Sequence, residues 1–293
     1  MPLDPGACAL SPVGAAFVEA CLAELDALKP GNVHRYASGH RMEASDFVRS
    51  AEAGAAHIAA YGRSVGARVR GAVDATLAAV GQNTNLGIVL LCAPLAAAAE
   101  GPARDLRAGL SSVLDHLDRQ DAIDVYAAIA AAKPGGLGRA PDHDVREAPS
   151  VSLREAMAAA ADRDRIARQY VTAFEDVFVL GLGALDATRR QGRDRRWSTA
   201  EVYLGFLAGF PDTHVARKFG PATAEDLRRE AAIWRERLSA TPDPEAMIPD
   251  LLQWDSALKA RGVNPGTSAD LTVATLFAAS LRRGVLPSSS NNA

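Results

Sequence analysis

A chain of 293 residues with a formal net charge of −3 has no basic excess with which to hold a nucleic-acid polyanion. Hydrophobic residues make up 48% and charged residues 23%, the proportions of a globular protein long enough to bury a substantial core, which excludes a disordered or fibrous chain. Aromatics are only 5% and β-branched runs are scarce, whereas Ala and Leu are abundant, a balance that favours helix over strand.

Helical periodicity recurs almost throughout. The spacing predicts helices at roughly 14–28, 44–60, 65–80, 85–99, 103–118, 121–132, 152–160, 163–190, 198–208, 213–219, 222–239, 244–261 and 268–284. Ser152–Glu155, Ser198–Glu201, Thr223–Asp226 and Thr267–Asp270 have capping-box spacing, in which a hydroxyl and a carboxylate three residues later satisfy free amides. Residues 133–150, rich in Pro and Gly, read as a long loop, and a loop of that length in a compact domain is often functional. No alternating strand and no internal repeat is seen. The expectation is an all-α protein: a single compact multi-helix domain over 1–287 with functional loops at helix ends, and a disordered tail at 288–293.

Cys8, Cys21 and Cys92 are far apart and lack metal-ligand spacing, so they read as small hydrophobes in a reducing compartment. The first twelve residues have no positive n-region or apolar h-region, and the apolar run Leu86 to Ala99 is too short to span a bilayer. The cytoplasm is the expected location, with no membrane partner. A homo-oligomer is compatible with the sequence.

Five short polar segments stand at predicted helix ends. Lys29-Pro30-Gly31-Asn32-Val33-His34 ends the first helix, since the residue before Pro is driven out of the α region. Gly31 there would let a ligand approach the backbone and Lys29 would supply a cation, although a plain helix stop uses the same residues. Ser38-Gly39-His40 and Asp46 follow: His40 as a phosphate partner and Asp46 as a base or Mg²⁺ ligand, or equally a solvated turn before a helix whose dipole favours Asp46. Gly81-Gln82-Asn83-Thr84-Asn85-Leu86-Gly87 leads into the apolar helix. Capping by Asn83 or Thr84 explains one polar side chain and leaves the rest needing buried partners, while free amides at a helix start suit an anion. Phe210-Pro211-Asp212-Thr213-His214, with Arg217, Lys218 and Gly220, puts one acid beside two bases, or one N-cap beside a solvated face. Asn264-Pro265-Gly266-Thr267-Ser268-Ala269-Asp270 opens the last helix with amides and hydroxyls that suit an anion. Asp270 there reads better as a metal ligand than as a phosphate partner.

No P-loop, HExxH or EF-hand pattern is present, no GxGxxG follows a strand, no GxSxG stands as an elbow after a strand, and the six histidines lack zinc spacing, which removes the usual nucleotide folds and the commonest hydrolases.

The ordered set resembles the triphosphoribosyl-dephospho-CoA synthase family, whose members carry a KPGLVD-like loop, a Ser-Gly-His and Asp-Phe cluster, GVNTHKG, a DTNxxxRxG-like segment and SPGGSADLL. Here these are Lys29 to His34, Ser38-Gly39-His40 with Asp46-Phe47, Gly81 to Gly87, Asp212-Thr213 with Lys218 and Gly220, and Asn264 to Leu271. The resemblance implies an all-helical transferase that cleaves ATP between adenine and ribose and passes the triphosphoribosyl group to a hydroxyl of dephospho-CoA. It implies Mg²⁺ on the triphosphate and electrostatic stabilisation of a ribosyl cation-like transition state. Asp46, Asp212 and Asp270 are the candidates for metal binding and catalysis. Lys29, His40, Arg217 and Lys218 are candidates for phosphate contacts, and Asn83, Thr84 and Asn85 for orienting ribose or phosphates. Gly31, Asn32, His34, Thr213, Gly266, Thr267 and Ser268 complete the candidate nucleotide site.

The family's His-Lys after Asn-Thr is Asn85-Leu86 here, and the middle of the chain, including Pro134 to Gly138, Asp142-His143-Asp144 and Asp164 to Phe178, departs from the lyase-associated members. It is similar to a divergent branch of archaea and methylotrophic bacteria, which implies a role in one-carbon cofactor assembly, with a tetrahydromethanopterin or methanofuran precursor as acceptor. A glycohydrolase with water as acceptor and a non-catalytic nucleotide-binding subunit are the competing readings.

Overall fold

The computed structural model describes residues 10–37, 43–103, 105–140 and 142–284. Cys8, Ser38-Gly39-His40 and residues 288–293 therefore lie outside the described residues. The described chain is all helix and loop: α1 (Pro12–Asp26), α2 (Ala44–Ile58), α3 (Val65–Val80), α4 (Leu86–Ala99), α5 (Leu106–Asp115), α6 (Arg119–Ala132), α7 (Leu153–Ala158), α8 (Arg165–Thr172), α9 (Leu182–Arg190), α10 (Arg195–Gly209), α11 (Thr213–Phe219), α12 (Pro221–Ala240), α13 (Ile248–Ala260) and α14 (Gly266–Gly284). A π-helical turn, Asp176–Gly181, precedes α9, and a 3₁₀ turn, Pro244–Met247, precedes α13. The only β-type pairing among the described residues is one isolated bridge, His34 to Ala37.

Helix α4 is apolar all round and is buried from Ile88 through Ala96, as a helix must be when it has no polar face to give to water. Beside it runs α14, buried from Thr267 through Ala279 except at Asp270. Its Thr272 and Thr275 hydroxyls donate back to the Ser268 and Leu271 carbonyls, so these polar groups cost nothing in an apolar setting. Around this pair α1, α2, α3, α5 and α6 close a large apolar cluster, and α10 to α13 close a second. The two clusters share α10: Val202 and Phe206 face the first, Tyr203 and Leu207 the second. Among the described residues no helix is long and apolar enough to cross a membrane.

Several local expectations hold and several are revised. Ser152 and Glu155 form the expected capping box. Ser198 and Thr223 do not cap: Asp194 caps α10, and α12 begins at Pro221, so both hydroxyls lie inside helices. A carboxylate or a proline nearer the true start takes precedence over an internal hydroxyl. The helix expected over 163–190 is three elements. It breaks at Ala173 and Phe174, both at positive φ, where the Ala173 and Phe174 amides both donate to the Gln169 carbonyl. Residues 133–150 form the expected irregular loop, pinned by Asp144, which accepts from the Ala140 and Arg146 amides and from the Arg146 guanidinium. Cys21 and Cys92 are free, and burial pushes both thiols up, as for inert core cysteines.

Candidate active site

Four helix starts meet at one place. Thr213, at the start of α11, accepts from the Arg165 amide at the start of α8 (3.2 Å), and its hydroxyl lies 3.0 Å from that of Thr267 on α14. Thr267 in turn accepts from the His214 amide (3.1 Å). The start of α4 joins them through Gly87: a Cβ at that position would lie 2.0 Å from Asp270 Oδ2 and 2.7 Å from Ile166 Cδ1, so only glycine lets α4 pass this close to α14. Gly266 makes the same provision for His214, whose Nδ1 would lie 2.5 Å from an added Cβ. Helix N-termini carry partial positive charge, so their convergence favours an anion, although the Arg165, His214 and Ser268 amides already donate to Thr213, Thr267 and Asp212.

In front of these helix starts lies a cavity of about 1060 Å³, at or above the upper end of ordinary ligand pockets. Asn32, Asn83, Thr84, Asn85, Thr213 and Arg217 line it, as do Lys218, Gly266, Thr267 and Asp270. Most of the sequence candidates are thus brought together. Arg217 is held by the Asp164 carboxylate (3.2 Å) and by the Gly135 carbonyl (3.3 Å), which ties the 133–150 loop to α11.

Asp270 differs from the other two aspartates. Its carboxylate is half-buried in the cavity wall and makes no hydrogen bond or ion pair with another described residue. Burial, together with the nearby carboxylates of Glu24, Asp212 and Asp164, raises it well above the usual carboxylate range, and Arg217 only partly offsets this. Asp212 is fully buried and used up. It caps α11 through the His214 and Val215 amides and accepts from both the amide and the hydroxyl of Ser268 (2.8 Å each). Asp46 sits in the capping box of α2, paired with Arg49 (2.7 Å) and reached by Gln82 (3.3 Å). These partners hold its carboxyl below the usual range. Two of the three aspartates are thus committed to structural partners, and no group of three His, Cys, Asp or Glu among the described residues is placed to hold a metal ion.

The first loop is likewise directed inward. Lys29 is fully buried, ion-paired with Glu24, and donates to Asn32 Oδ1 (3.0 Å) and to the Val33 carbonyl (2.6 Å). Gly31, at φ 84, presses on Pro265 and Leu258 and donates to Asp255, so the close approach it allows is to the protein's own last loop. His34 is buried 3.4 Å from Asp255. Ser268 faces Asp212, and Asn85 donates to Thr76 (3.1 Å). Asn32 donates to Asn264 (2.8 Å), which joins the first loop to the last. His40 lies outside the described residues.

Sequence reasoning passed over Glu24, which reaches the cavity wall from α1 and is raised by burial despite the Lys29 pair. The signal was a lone acid continuing the apolar stripe Phe17, Ala20, Glu24. It also passed over Asp164, Lys133, Arg139, Arg165 and Arg168, which lie at the cavity but outside the five motifs.

A sequence model of the ATP:dephospho-CoA triphosphoribosyl transferases matches residues 11–288. The chain belongs to this family. It is accordingly a transferase, and, among the described residues, the ordered motifs that carried the resemblance contribute residues that face or brace the cavity. A crystal structure from Archaeoglobus fulgidus, provisionally assigned as a triphosphoribosyl-dephospho-CoA synthase, superposes with a TM-score of 0.61 at 25% identity, covering 78% of this chain and 96% of the other. No curated protein matches the chain at a significant level.

Proposed function

We propose that this triphosphoribosyl transferase homologue binds ATP with its triphosphate over the starts of α4 and α14, and passes the triphosphoribosyl group to a hydroxyl of a second substrate. The observation that supports this most is Asp270, a carboxylate without a partner where helix starts that favour anions converge. A crowded carboxylate in that setting suits a cation. Mg²⁺ characteristically binds through one or two carboxylates plus substrate phosphates, so Asp270 alone fits where a three-ligand cage is absent. When bound, the ion would neutralise the triphosphate. Arg217 and Lys218 would contact the phosphate oxygens, and Asn83 and Thr84 the ribose.

In the proposed step the ribose C1′–N9 bond of ATP breaks, adenine leaves with the electron pair, and the acceptor oxygen forms the new bond to C1′. Glu24, held from behind by Lys29, takes the hydroxyl proton, which passes on to the departing adenine so that neutral adenine is released and the carboxylate is restored. Its raised pKa makes it a better base than an ordinary glutamate. Asp270, in its ionised form, would stabilise positive charge developing on the ribose. A cavity of this size leaves room beside a nucleotide for a large acceptor, which favours transfer over hydrolysis.

Chromatographic detection of free adenine tests this. Incubation with ATP, Mg²⁺ and dephospho-CoA is expected to release adenine, and omission of dephospho-CoA to abolish release. Asp270→Asn and Gly87→Ala should each lower the rate about 10²-fold or more with helical content intact, the second because its Cβ displaces the Asp270 carboxylate. Release without acceptor would overturn transfer in favour of hydrolysis. No release with dephospho-CoA would overturn that acceptor, and one-carbon cofactor precursors would take its place in the same assay.

A further inference from the structure

The five motifs account for part of the cavity lining. Another part, built by residues within 126–168, carries none of them, although its last residues, Asp164 and Arg165, touch Arg217 and Thr213 of the motif part. Tyr126 and Ile129 line it from α6, and Leu153 and Met157 from α7, with Ala160 just beyond. The spacings i, i+3 on one helix and i, i+4 on the other turn one apolar face of each toward the space. Tyr126 adds no free polar group, because its hydroxyl donates to the His143 carbonyl (2.7 Å). This face is therefore an apolar wall on which phosphates or bare sugar would gain little.

Cations edge this wall. Lys133, at φ 45 at the end of α6, and Arg139 in the following loop line the cavity and are exposed, and neither has an ion pair among the described residues. Arg168 on α8 is half-buried and likewise unpaired among them. The acids nearby do not cancel this charge, since Asp144 is bound bidentately by Arg146 (2.7 and 2.5 Å) and Asp162 is solvent-exposed. An apolar wall edged by unpaired cations matches a molecule with an apolar body and an acidic end.

We propose that the 126–168 face is the acceptor subsite and that its ligand is an amphipathic anion, ending in a phosphate or a carboxylate. This rests on the transferase reading above: donor chemistry belongs to the motif side, so the motif-free side is left to distinguish the acceptor.

The probe is 8-anilinonaphthalene-1-sulfonate, an apolar body with one acidic end, titrated by fluorescence into the full chain. One molecule binds per chain and stays bound under saturating ATP and Mg²⁺. Lys133→Ala/Arg139→Ala, at two exposed positions that leave the core untouched, weakens it about tenfold. Met157→Glu weakens it further, and Asp270→Asn leaves it unchanged. Unaltered affinity in both the double variant and Met157→Glu overturns the subsite, as does displacement by ATP. If the probe behaves as expected but wild-type protein releases no adenine with any acceptor, the transferase reading fails instead.

Discussion

Lys29 shows how a residue type can be right for a site and yet act one step away from it. Its ammonium is fully buried against Glu24, Asn32 and the Val33 carbonyl, and burial lowers its pKa while raising that of Glu24. Two opposite charges out of water hold each other in the charged form, and removal of one strands the other. Lys29→Met is expected to cost about 3–5 kcal/mol in chemical denaturation, and adding Glu24→Gln to recover most of it. If Lys29→Met is as stable as the wild type, the pair is not holding the end of α1. Asp212 belongs with Lys29, since its four accepted hydrogen bonds stitch α11 to α14. Asp270, with no such partners, is the aspartate left for chemistry.

At the scale of elements, one carboxylate folds the middle of the loop between α6 and α7 onto itself, while Tyr126, Arg119 and Arg217 tie the loop to its surroundings. Asp144 accepts from the Ala140 and Arg146 amides and from the Arg146 side chain, which hold its carboxyl well below the usual range. A carboxylate with a depressed pKa contributes stability that is present above its unfolded value and lost as pH falls through its folded value. The loop should therefore stay latched at pH 4, where an ordinary aspartate begins to protonate, and open only at more acid pH. Amide exchange at Ala140 and Arg146 reports this: protection retained at pH 4 in the wild type, and lost already at pH 7 in Asp144→Asn. Protection that fades near pH 4 in the wild type would show that Asp144 is not the latch. The same loop presents Lys133 and Arg139 to the cavity, so its latch bears on the acceptor side.

For the whole molecule, the two apolar clusters are not two domains. Tyr203 and Phe206 stand on one helix, α10, and face different clusters, while α14 supplies Phe277 to the first and Ala269 to the second. Loss of either cluster would strip α10 of the packing on one of its faces, and loss of the first would strip α14 of most of its packing. Heat unfolding is therefore expected as one calorimetric transition, with coincident loss of helix signal and of Trp197 and Trp254 fluorescence, both tryptophans lying in the second cluster. Two resolved transitions would show that the α10–α13 group folds on its own.

The sequence by itself determined the helical class, because Ala- and Leu-rich stretches with 3.6-residue periodicity and few β-branched runs offer no other way to bury apolar surface. It also determined the family, through five short motifs in fixed order, and the start of α7, because Ser152 and Glu155 act within one turn. It did not show that Ser198 and Thr223 lie inside helices, since an Asp or Pro a few residues earlier competes for the same start. Nor did it show the break at Ala173, where positive φ at two non-glycine residues runs against local preference. Only the tertiary structure sorted the motif residues into those that face the cavity, such as Asp270, Thr267 and Arg217, and those that brace it, such as Lys29, Gly31 and Asp212. The physical reason is that a buried polar group is defined by its partners. The Ser268 partner of Asp212 lies 56 residues away and the Asp255 partner of Gly31 lies 224 away, distances over which local spacing carries no information.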